Sequence, residues 1–271
     1  MPRKQNEFYW LDRINERNQR NTNLTIQETE EQLKRIYSKE AIALQNEIVK
    51  VFGKMLSDEM FQGEYMMNDI YRNDRYWQLL DWVNERLRVL GGKELKITEP
   101  ALIKIYEDTK KLIDEEMPSN FKQAFVVPQM IDAKQVVHQA WCLDGKEFSD
   151  RIWEDKTKLL AHLKKDMSDF LVRGKGAWEI AEKLANDLDT HSYNAFRIVR
   201  TEGTHLITKG KTDRYQEMGF TKGKYIGIHC CKECQKNDDK IFSLAELEHM
   251  IPVHPNCKCT FVPVRDRSLT I

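Results

Sequence analysis

The sequence TIQETEEQLKRIYSKEAIALQNEIVKVFGKM, residues 25–55, has the pattern of one long amphipathic helix. Thr25 and Glu28 have the spacing of an N-terminal capping box, which predicts that the helix begins there. We expect it to reach about residue 60 and to measure about 50 Å at about 1.5 Å per residue. A single apolar stripe needs a partner helix, and the absence of strict heptads favours a helical hairpin within the chain over a coiled coil between chains. The stripe consists of Leu33, Tyr37, Ala41, Leu44, Ile48, Val51 and Met55.

Turn and capping residues divide the middle of the chain into further helices. Gly91-Gly92 is expected to end the second helix, and Thr98 to cap the third. Ser149 is expected to cap a long helix that breaks at residues 174–176, and Asp189–Ser192 to cap another. The region before residue 128 carries no chemical motif, so we interpret it as a helical arm.

Beyond Gly219 the pattern changes from helical to β. Tyr225–His229 is predicted to form a strand and Lys240–Phe242 its return, while Ser243–Glu246 has the form of a capping box for a short helix. We therefore predict a mainly α protein with a long helical N-terminal arm, a helical middle region and a small α+β C-terminal cap stapled by a Cys/His cluster.

The Cys/His cluster combines two short ligand-type motifs. Cys231 and Cys234 form a Cys-x-x-Cys turn, and His254, Cys257 and Cys259 form a His-x-x-Cys-x-Cys knuckle. Thiolate and imidazole donors at these spacings are typical of a closed tetrahedral zinc site, which would contribute folding free energy to a segment too small for a core of its own. We favour the first four residues as ligands, with Cys259 as the first substitute.

Three other interpretations of the cluster remain open from the sequence. The thiols can form a disulfide in a released particle, pack together in a small apolar core, or act as a redox Cys-x-x-Cys pair. In a reducing cytoplasm, clustered cysteines are more often metal ligands or thiols than disulfides.

The amino-acid composition argues against several classes of protein. The chain has 271 residues with 43 Lys and Arg against 43 Asp and Glu, so no net basic charge points to nucleic acid. No apolar run approaches the roughly 20 residues of a membrane span, and the N-terminus lacks the apolar core of a secretory signal. We expect a protein of the cytoplasm without a membrane segment.

Four segments occur in an order that carries a family resemblance. They are Trp141–Trp153, Arg200-Thr201-Glu202, the Cys-x-x-Cys turn followed by Asp238–Phe242, and His254–Cys259. Together they resemble the head morphogenesis family, the tailed-phage minor head proteins with a MuF-type C-terminal domain. The resemblance covers residues 128–264 and extends loosely before them. The chain departs from the family pattern at Ile228-His229-Cys230, which adds an imidazole and a thiol near the cluster, and at Asp238-Asp239-Lys240, where the family has Asp-Gly-Lys.

The resemblance implies a structural role rather than an enzymatic one. It divides the chain into a docking arm, residues 1–127, and a MuF-like domain, residues 128–271, whose Cys/His cap spans residues 221–264. It implies a minor capsid protein of the procapsid interior that aids head assembly and associates with the portal protein, with the major capsid or scaffold protein, or with both. The expected location is the virion interior, and the host cytoplasm during assembly.

Two alternative functions come from other classes. A DNA-binding protein packaged or ejected with the genome would use the densest basic cluster near the C-terminus, which consists of Lys209, Lys211, Arg214, Lys222 and Lys224. A zinc-knuckle nuclease or toxin-like enzyme would need a histidine base, for which His229 and His249 are the candidates. Neither histidine has a spacing that requires this role, and we predict no catalytic residues.

Overall fold

A computed structural model of the chain describes residues 9–56, 74–117, 132–173, 175–228 and 231–264. Four long helices dominate these residues: α1 (Tyr9–Leu56), α2 (Asp74–Glu116), α4 (Phe148–Val172) and α5 (Ala177–Glu217). The shorter elements are α3 (Ala133–Val137), β1 (Lys222–Ile226), α6 (Lys232–Gln235), β2 (Ile241–Ser243), α7 (Leu244–Met250) and β3 (Thr260–Val264). The predicted fold class, mainly α with a small α+β C-terminal cap, is confirmed.

Helix α1 begins at Tyr9, well before the predicted cap at Thr25, so that prediction is wrong. Thr25 lies inside the helix, where its carbonyl accepts a hydrogen bond from Thr29 Oγ1 at 2.7 Å. The buried stripe includes Leu11 and Ile14 near the start of the helix. Polar side chains occupy the next buried positions, and apolar side chains resume at Leu33. The apolar sequence pattern therefore predicts only the part of the helix that follows these polar positions. The buried polar positions are Asn18, Thr22, Thr25 and Thr29.

Helix α2 runs without interruption through Gly91-Gly92 and through Thr98, where the sequence predicted an end and a new start. Both predictions are wrong. A Cβ atom at Gly91 would lie 2.6 Å from Trp153 Cζ3, so this glycine allows the indole of α4 to approach the helix backbone. The glycine serves close packing and not helix termination.

Helix α4 begins one residue before the predicted cap at Ser149, and α5 follows the predicted break at residues 174–176. The predicted cap at Asp189–Ser192 is wrong, because α5 continues through it. Ser192 Oγ instead donates to the Asp189 carbonyl at 2.7 Å. This local bond satisfies the hydroxyl within a continuous helix.

A three-stranded antiparallel sheet in the order β2-β1-β3 forms the C-terminal cap. The first predicted strand was placed three residues too late, and the third strand was not predicted. Tyr225 pairs with Phe261 and faces the core with it. The capping box at Ser243 is confirmed: Ser243 Oγ accepts from the Glu246 amide at 3.2 Å, and the Glu246 carboxylate accepts from the Ser243 amide at 2.8 Å.

The chain divides into two compact units, each assembled from separated segments. The cap unit comprises Met1–Thr29, Thr98–Phe148 and Arg197–Ile271, and the bundle unit comprises Glu30–Ile97 and Ser149–Phe196. The predicted boundary between residues 127 and 128 lies outside the described residues and stays a prediction. No helix among the described residues is long and apolar enough to span a membrane.

The core of the cap unit draws on its N-terminal segment as well as on the sheet. Trp10, Leu11 and Ile14 of α1 belong to the same buried cluster as Tyr225 and Phe261. Cys234, Cys257 and Cys259 are part of this cluster too. The short strands therefore share a core with the long helices and do not enclose one alone.

Candidate metal centre

A single turn of helix presents the first two thiols. Cys231 is the N-cap residue of α6 and Cys234 lies within the helix. The Gln235 amide donates to the Cys231 carbonyl at 3.0 Å and closes the turn. Because residues three apart lie on the same side of a helical turn, the Cys-x-x-Cys spacing directs both thiols to one side.

The second knuckle is a tight turn after α7. The Cys257 amide donates to the His254 carbonyl at 3.1 Å, and Asn256 adopts a left-handed conformation with φ of 62°. His254 Nδ1 lies 2.9 Å from the Pro255 carbonyl. Since a carbonyl only accepts hydrogen bonds, we assign the proton to Nδ1, which leaves Nε2 as the basic nitrogen.

The distances between donor atoms are close to those of a tetrahedral zinc site. His254 Nε2 lies 3.3 Å from Cys231 Sγ and 3.4 Å from Cys234 Sγ, and Cys234 Sγ lies 4.0 Å from Cys257 Sγ. Bonds of about 2.3 Å to sulfur and about 2.1 Å to nitrogen imply edges of roughly 3.8 Å between sulfurs and roughly 3.5 Å between sulfur and nitrogen. The three measured separations are therefore close to those of a zinc site, and Cys231, Cys234 and His254 form one group whose ligand atoms are all within 4.8 Å of one another.

Cys259 joins the cluster as a fifth donor. Its thiol lies with those of Cys234 and Cys257 in a second group whose ligand atoms are all within 4.8 Å of one another. Both three-donor groups contain Cys234, so the five predicted residues form two overlapping groups, each of which could hold a metal ion. Which four of them bind a metal, and which metal, stays a prediction.

Burial separates the thiols into two kinds. The exposed Cys231 thiol has a lowered pKa, chiefly because it accepts a hydrogen bond from the Cys234 amide. Burial raises the pKa of the Cys234 and Cys257 thiols. Cys231, Cys234, Cys257 and Cys259 are all free thiols, and the 4.0 Å between Cys234 Sγ and Cys257 Sγ is about twice a disulfide bond length of roughly 2.05 Å. A metal ion would stabilise the buried pair as thiolates.

Helix α5 supports the second knuckle through two threonines. Thr204 Oγ1 donates to the Cys257 carbonyl at 2.8 Å, and the Asn256 amide donates to Thr201 Oγ1 at 3.2 Å. Sequence analysis missed Thr204 because it lies more than fifty positions from the residue it contacts. Its position three residues after Thr201, on the same helix, is the signal that was available.

The same part of α5 also contacts the segment that begins with Trp141. Trp141 Nε1 donates to Glu202 Oε2 at 2.7 Å, and its indole stacks on the His205 ring with centroids 4.3 Å apart. Burial lowers the pKa of His205 to about 3, so the imidazole is neutral at physiological pH. Three of the four segments that carry the family resemblance therefore meet at residues 201–205.

The predicted basic cluster does not form a continuous basic surface. Lys211 is buried, and three other members pair with carboxylates. Lys209 lies 2.8 Å from Asp213, and Lys224 lies 2.9 Å from Asp239. Arg214 bonds Asp114 and Glu217, and among the described residues Lys222 is the one member of the cluster that is exposed and forms no ion pair.

The two candidate histidine bases have different outcomes. His229 lies outside the described residues. His249 is exposed in the last turn of α7, and its charge contributes to the lowered pKa of His205. It belongs to neither group of potential metal ligands.

No protein-family model, curated protein or solved structure matches the chain. The function is therefore argued from the sequence motifs and the geometry of the cluster.

Proposed function

We propose that the chain is a minor head protein of a tailed phage or prophage, a structural component of the procapsid interior that associates with the portal protein and aids head assembly. One observation carries the proposal. The Trp141 segment, Arg200-Thr201-Glu202 and the His254–Cys259 knuckle contact one another through Glu202, Thr201 and Thr204. Motifs that are weak singly and scattered over more than a hundred residues thus form one connected structural unit, as expected for a family signature.

The proposed role of the metal is structural. Cys231, Cys234, His254 and Cys257 would complete a tetrahedral zinc shell, and a fifth protein donor, Cys259, lies beside them. A catalytic zinc keeps a position for water, whereas a shell saturated by protein ligands holds segments together. Zinc would stabilise the cap by joining the turn of α6 to the knuckle that precedes β3.

The proposed partners are the portal protein and the major capsid or scaffold protein, and the proposed docking surface is the N-terminal arm. Deleting the arm is not a clean test, because Trp10, Leu11 and Ile14 belong to the core of the cap unit. Leu24 and Ile42 are better targets, since their side chains are 51% and 59% exposed on α1.

The experiment is co-expression of the full chain with the portal and major capsid proteins of the same phage or prophage, followed by purification of the particles and quantitative mass spectrometry. We expect the wild type to enter particles and the variant Leu24→Glu/Ile42→Glu to be depleted at least tenfold. Trp178→Glu/Tyr193→Glu is the matched control, because these side chains are exposed outside the arm. Particles that contain no wild-type chain would refute the proposed function, and equal incorporation of all variants would refute only the docking surface.

A packaged DNA-binding protein is the alternative function. It predicts a DNA complex whose affinity falls steeply between low and physiological salt, because each phosphate contact releases counterions. The ion pairs of Lys209, Arg214 and Lys224 weaken that alternative. A mobility shift that disappears between 50 and 200 mM salt, on the order of a thousandfold loss of affinity, would support it.

A further inference from the structure

The phenol of Tyr225 lies in the core of the cap unit beside the thiol cluster. Tyr225 is the fourth residue of β1, opposite Phe261 of β3, and its side chain is fully buried. Cys234 and Cys259 belong to the same buried cluster, and the interactions of their thiols raise the pKa of its phenol beyond the effect of burial. The oxygen nevertheless has no hydrogen-bond partner among the described residues.

An unsatisfied hydroxyl in an apolar core destabilises the folded protein, because the group loses its hydrogen bonds to water and gains none. A neutral thiol is a weak acceptor, so Cys234 and Cys259 do little for this hydroxyl while they are protonated. A metal-bound thiolate carries negative charge and is a much stronger acceptor. The position of the hydroxyl is thus unfavourable beside thiols and favourable beside thiolates.

We infer that Tyr225 is a positioning residue of the metal centre, whose hydroxyl donates a hydrogen bond to the metal-bound thiolate of Cys234 or Cys259. This inference rests on the metal site described under the proposed function. Groups that hydrogen-bond metal ligands fix the orientation of those ligands and tune their donor strength. Phenylalanine would fill the same space in the core. A Tyr225→Phe substitution therefore removes the hydrogen bond of the hydroxyl and keeps the packing of the ring.

Tyr215 provides a matched control within the same core. It is buried in the cluster that contains Tyr225 and the cysteines. Burial alone raises the pKa of its phenol, with no contribution from a thiol. Tyr215→Phe therefore removes a buried phenol hydroxyl from this core without removing a group that faces the cluster.

The test measures zinc affinity and metal-free stability in the full chain carrying Tyr225→Phe or Tyr215→Phe. Zinc affinity is obtained by competition with a chromophoric chelator, and metal-free stability by urea unfolding. We expect Tyr225→Phe to bind one zinc with an affinity about 10–100-fold below that of the wild type. We expect the urea midpoint of the metal-free variant to stay equal or rise, because an unsatisfied hydroxyl is gone. Tyr215→Phe should keep the wild-type affinity.

Cobalt substitution adds a spectroscopic readout. The loss of an O–H···S bond makes the ligating sulfur easier to oxidise, so the sulfur-to-cobalt charge-transfer band of Tyr225→Phe should move to longer wavelength, while that of Tyr215→Phe stays in place.

If the wild type binds zinc and Tyr225→Phe binds it equally well, the role of Tyr225 is overturned and the metal site stands. If Tyr225→Phe loses affinity only in proportion to a loss of metal-free stability, the residue is merely structural. A wild type that binds no zinc overturns both.

Discussion

The two units of the molecule bury ionisable side chains in opposite ways. In the bundle unit, Lys156 is 4% exposed and lies 2.8 Å from the buried Glu94 carboxylate, so each charge has a partner of opposite sign. In the cap unit, Cys234 and Cys257 are equally buried, and the side chains that contact their thiols at up to 4.0 Å include each other and the His254 imidazole. The bundle unit thus contains the partners for its buried charges, whereas the cap unit contains ligands that a metal ion would complete.

The polar layer of the bundle unit joins side chains from all four of its helical segments. Glu94 of α2 accepts a hydrogen bond from Tyr37 of α1 at 2.8 Å, and Lys156 of α4 contacts both groups. Asp155 lies 3.0 Å from Lys156 and 2.8 Å from His191 of α5. Such a layer specifies helix register, because a shifted helix would leave a charge buried alone.

Burial and the neighbouring charges and hydrogen bonds have opposing effects on the pKa values of the carboxylates in this layer. Burial raises the pKa of Glu94 and is only partly offset by Lys156. Burial also acts to raise the pKa of Asp155, but the hydrogen bond from His191 and the charge of Lys156 outweigh it and the pKa is lowered. The layer therefore holds Asp155 as a carboxylate, whereas Glu94 is the easier of the two to protonate.

Removal of the metal should produce the largest difference between the two units. We expect chelation of the zinc-loaded protein to lower amide-exchange protection over residues 221–264, because the cap loses the ion that joins its two knuckles. Protection in the segments of the bundle unit should persist. Cys234→Ser should reproduce the effect, and Cys142→Ser, outside the cluster, should not. Unchanged protection of the cap in metal-free protein would contradict the structural role of zinc.

Breaking the polar layer should be the next largest effect. Lys156→Met leaves Glu94 and Asp155 without their shared cation, and we expect a loss of about 3–5 kcal/mol in the free energy of unfolding, measured with urea. Lys158→Met is the control, because Lys158 is 63% exposed and its pair with Glu154 should contribute less than about 1 kcal/mol. If the two variants are equally stable, the layer does not stabilise the bundle unit.

The glycine pair of α2 gives a smaller and purely steric test. Gly91→Ala places a Cβ 2.6 Å from the Trp153 ring and should lower the free energy of unfolding by about 1–3 kcal/mol. Gly92→Ala meets nothing within 4 Å and should raise it by up to about 1 kcal/mol, because alanine favours helix. Thermal unfolding of both variants gives the comparison. A higher free energy of unfolding for both variants would mean that the Trp153 indole moves aside.

The last prediction concerns Lys211 of the cap unit, a buried amine with no carboxylate partner among the described residues. Its Nζ bonds three neutral oxygens, from Asn15, Thr260 and Phe261, and burial lowers its pKa to about 7. The unfolded chain keeps the proton to about pH 10.4, so the free energy of unfolding should gain at most about 1.4 kcal/mol per pH unit above pH 7.

The control for this pH dependence is Lys211→Met. Urea unfolding at several pH values between 7 and 9 should give a steeper rise for the wild type than for the variant. Equal slopes would show that the three oxygens keep the amine protonated.

Sequence reasoning was most successful where chemistry is encoded in short spacings. The five cluster residues and the capping box at Ser243 were predicted by position, since a Cys-x-x-Cys turn and a capping box are local geometries. The start of α1 was missed, because Thr22 and Thr25 are polar residues that occupy buried positions. Gly91 was misinterpreted, because its reason, the Trp153 ring, is more than sixty residues away.

Contacts between distant elements account for the rest of what the sequence did not predict. Glu94 and Lys156 have the appearance of ordinary surface charges on helices, and only the packing of those helices makes them a buried pair. The pairing of β1 with β3, a strand the sequence did not predict, places Tyr225 in the buried cluster that contains the thiols.

The shared core of the cap unit has a consequence for the order of events during synthesis. Ile14 and Phe261 belong to one buried cluster although about 250 residues separate them. At about 5–20 residues per second, a ribosome needs roughly 10–50 s to supply the second after the first. All segments of the bundle unit, which ends at Phe196, are made before that moment. The first turns of α1 therefore emerge long before the last part of this core, and a nascent chain that stops short of β3 leaves the cluster around Trp10, Leu11 and Ile14 without Phe261.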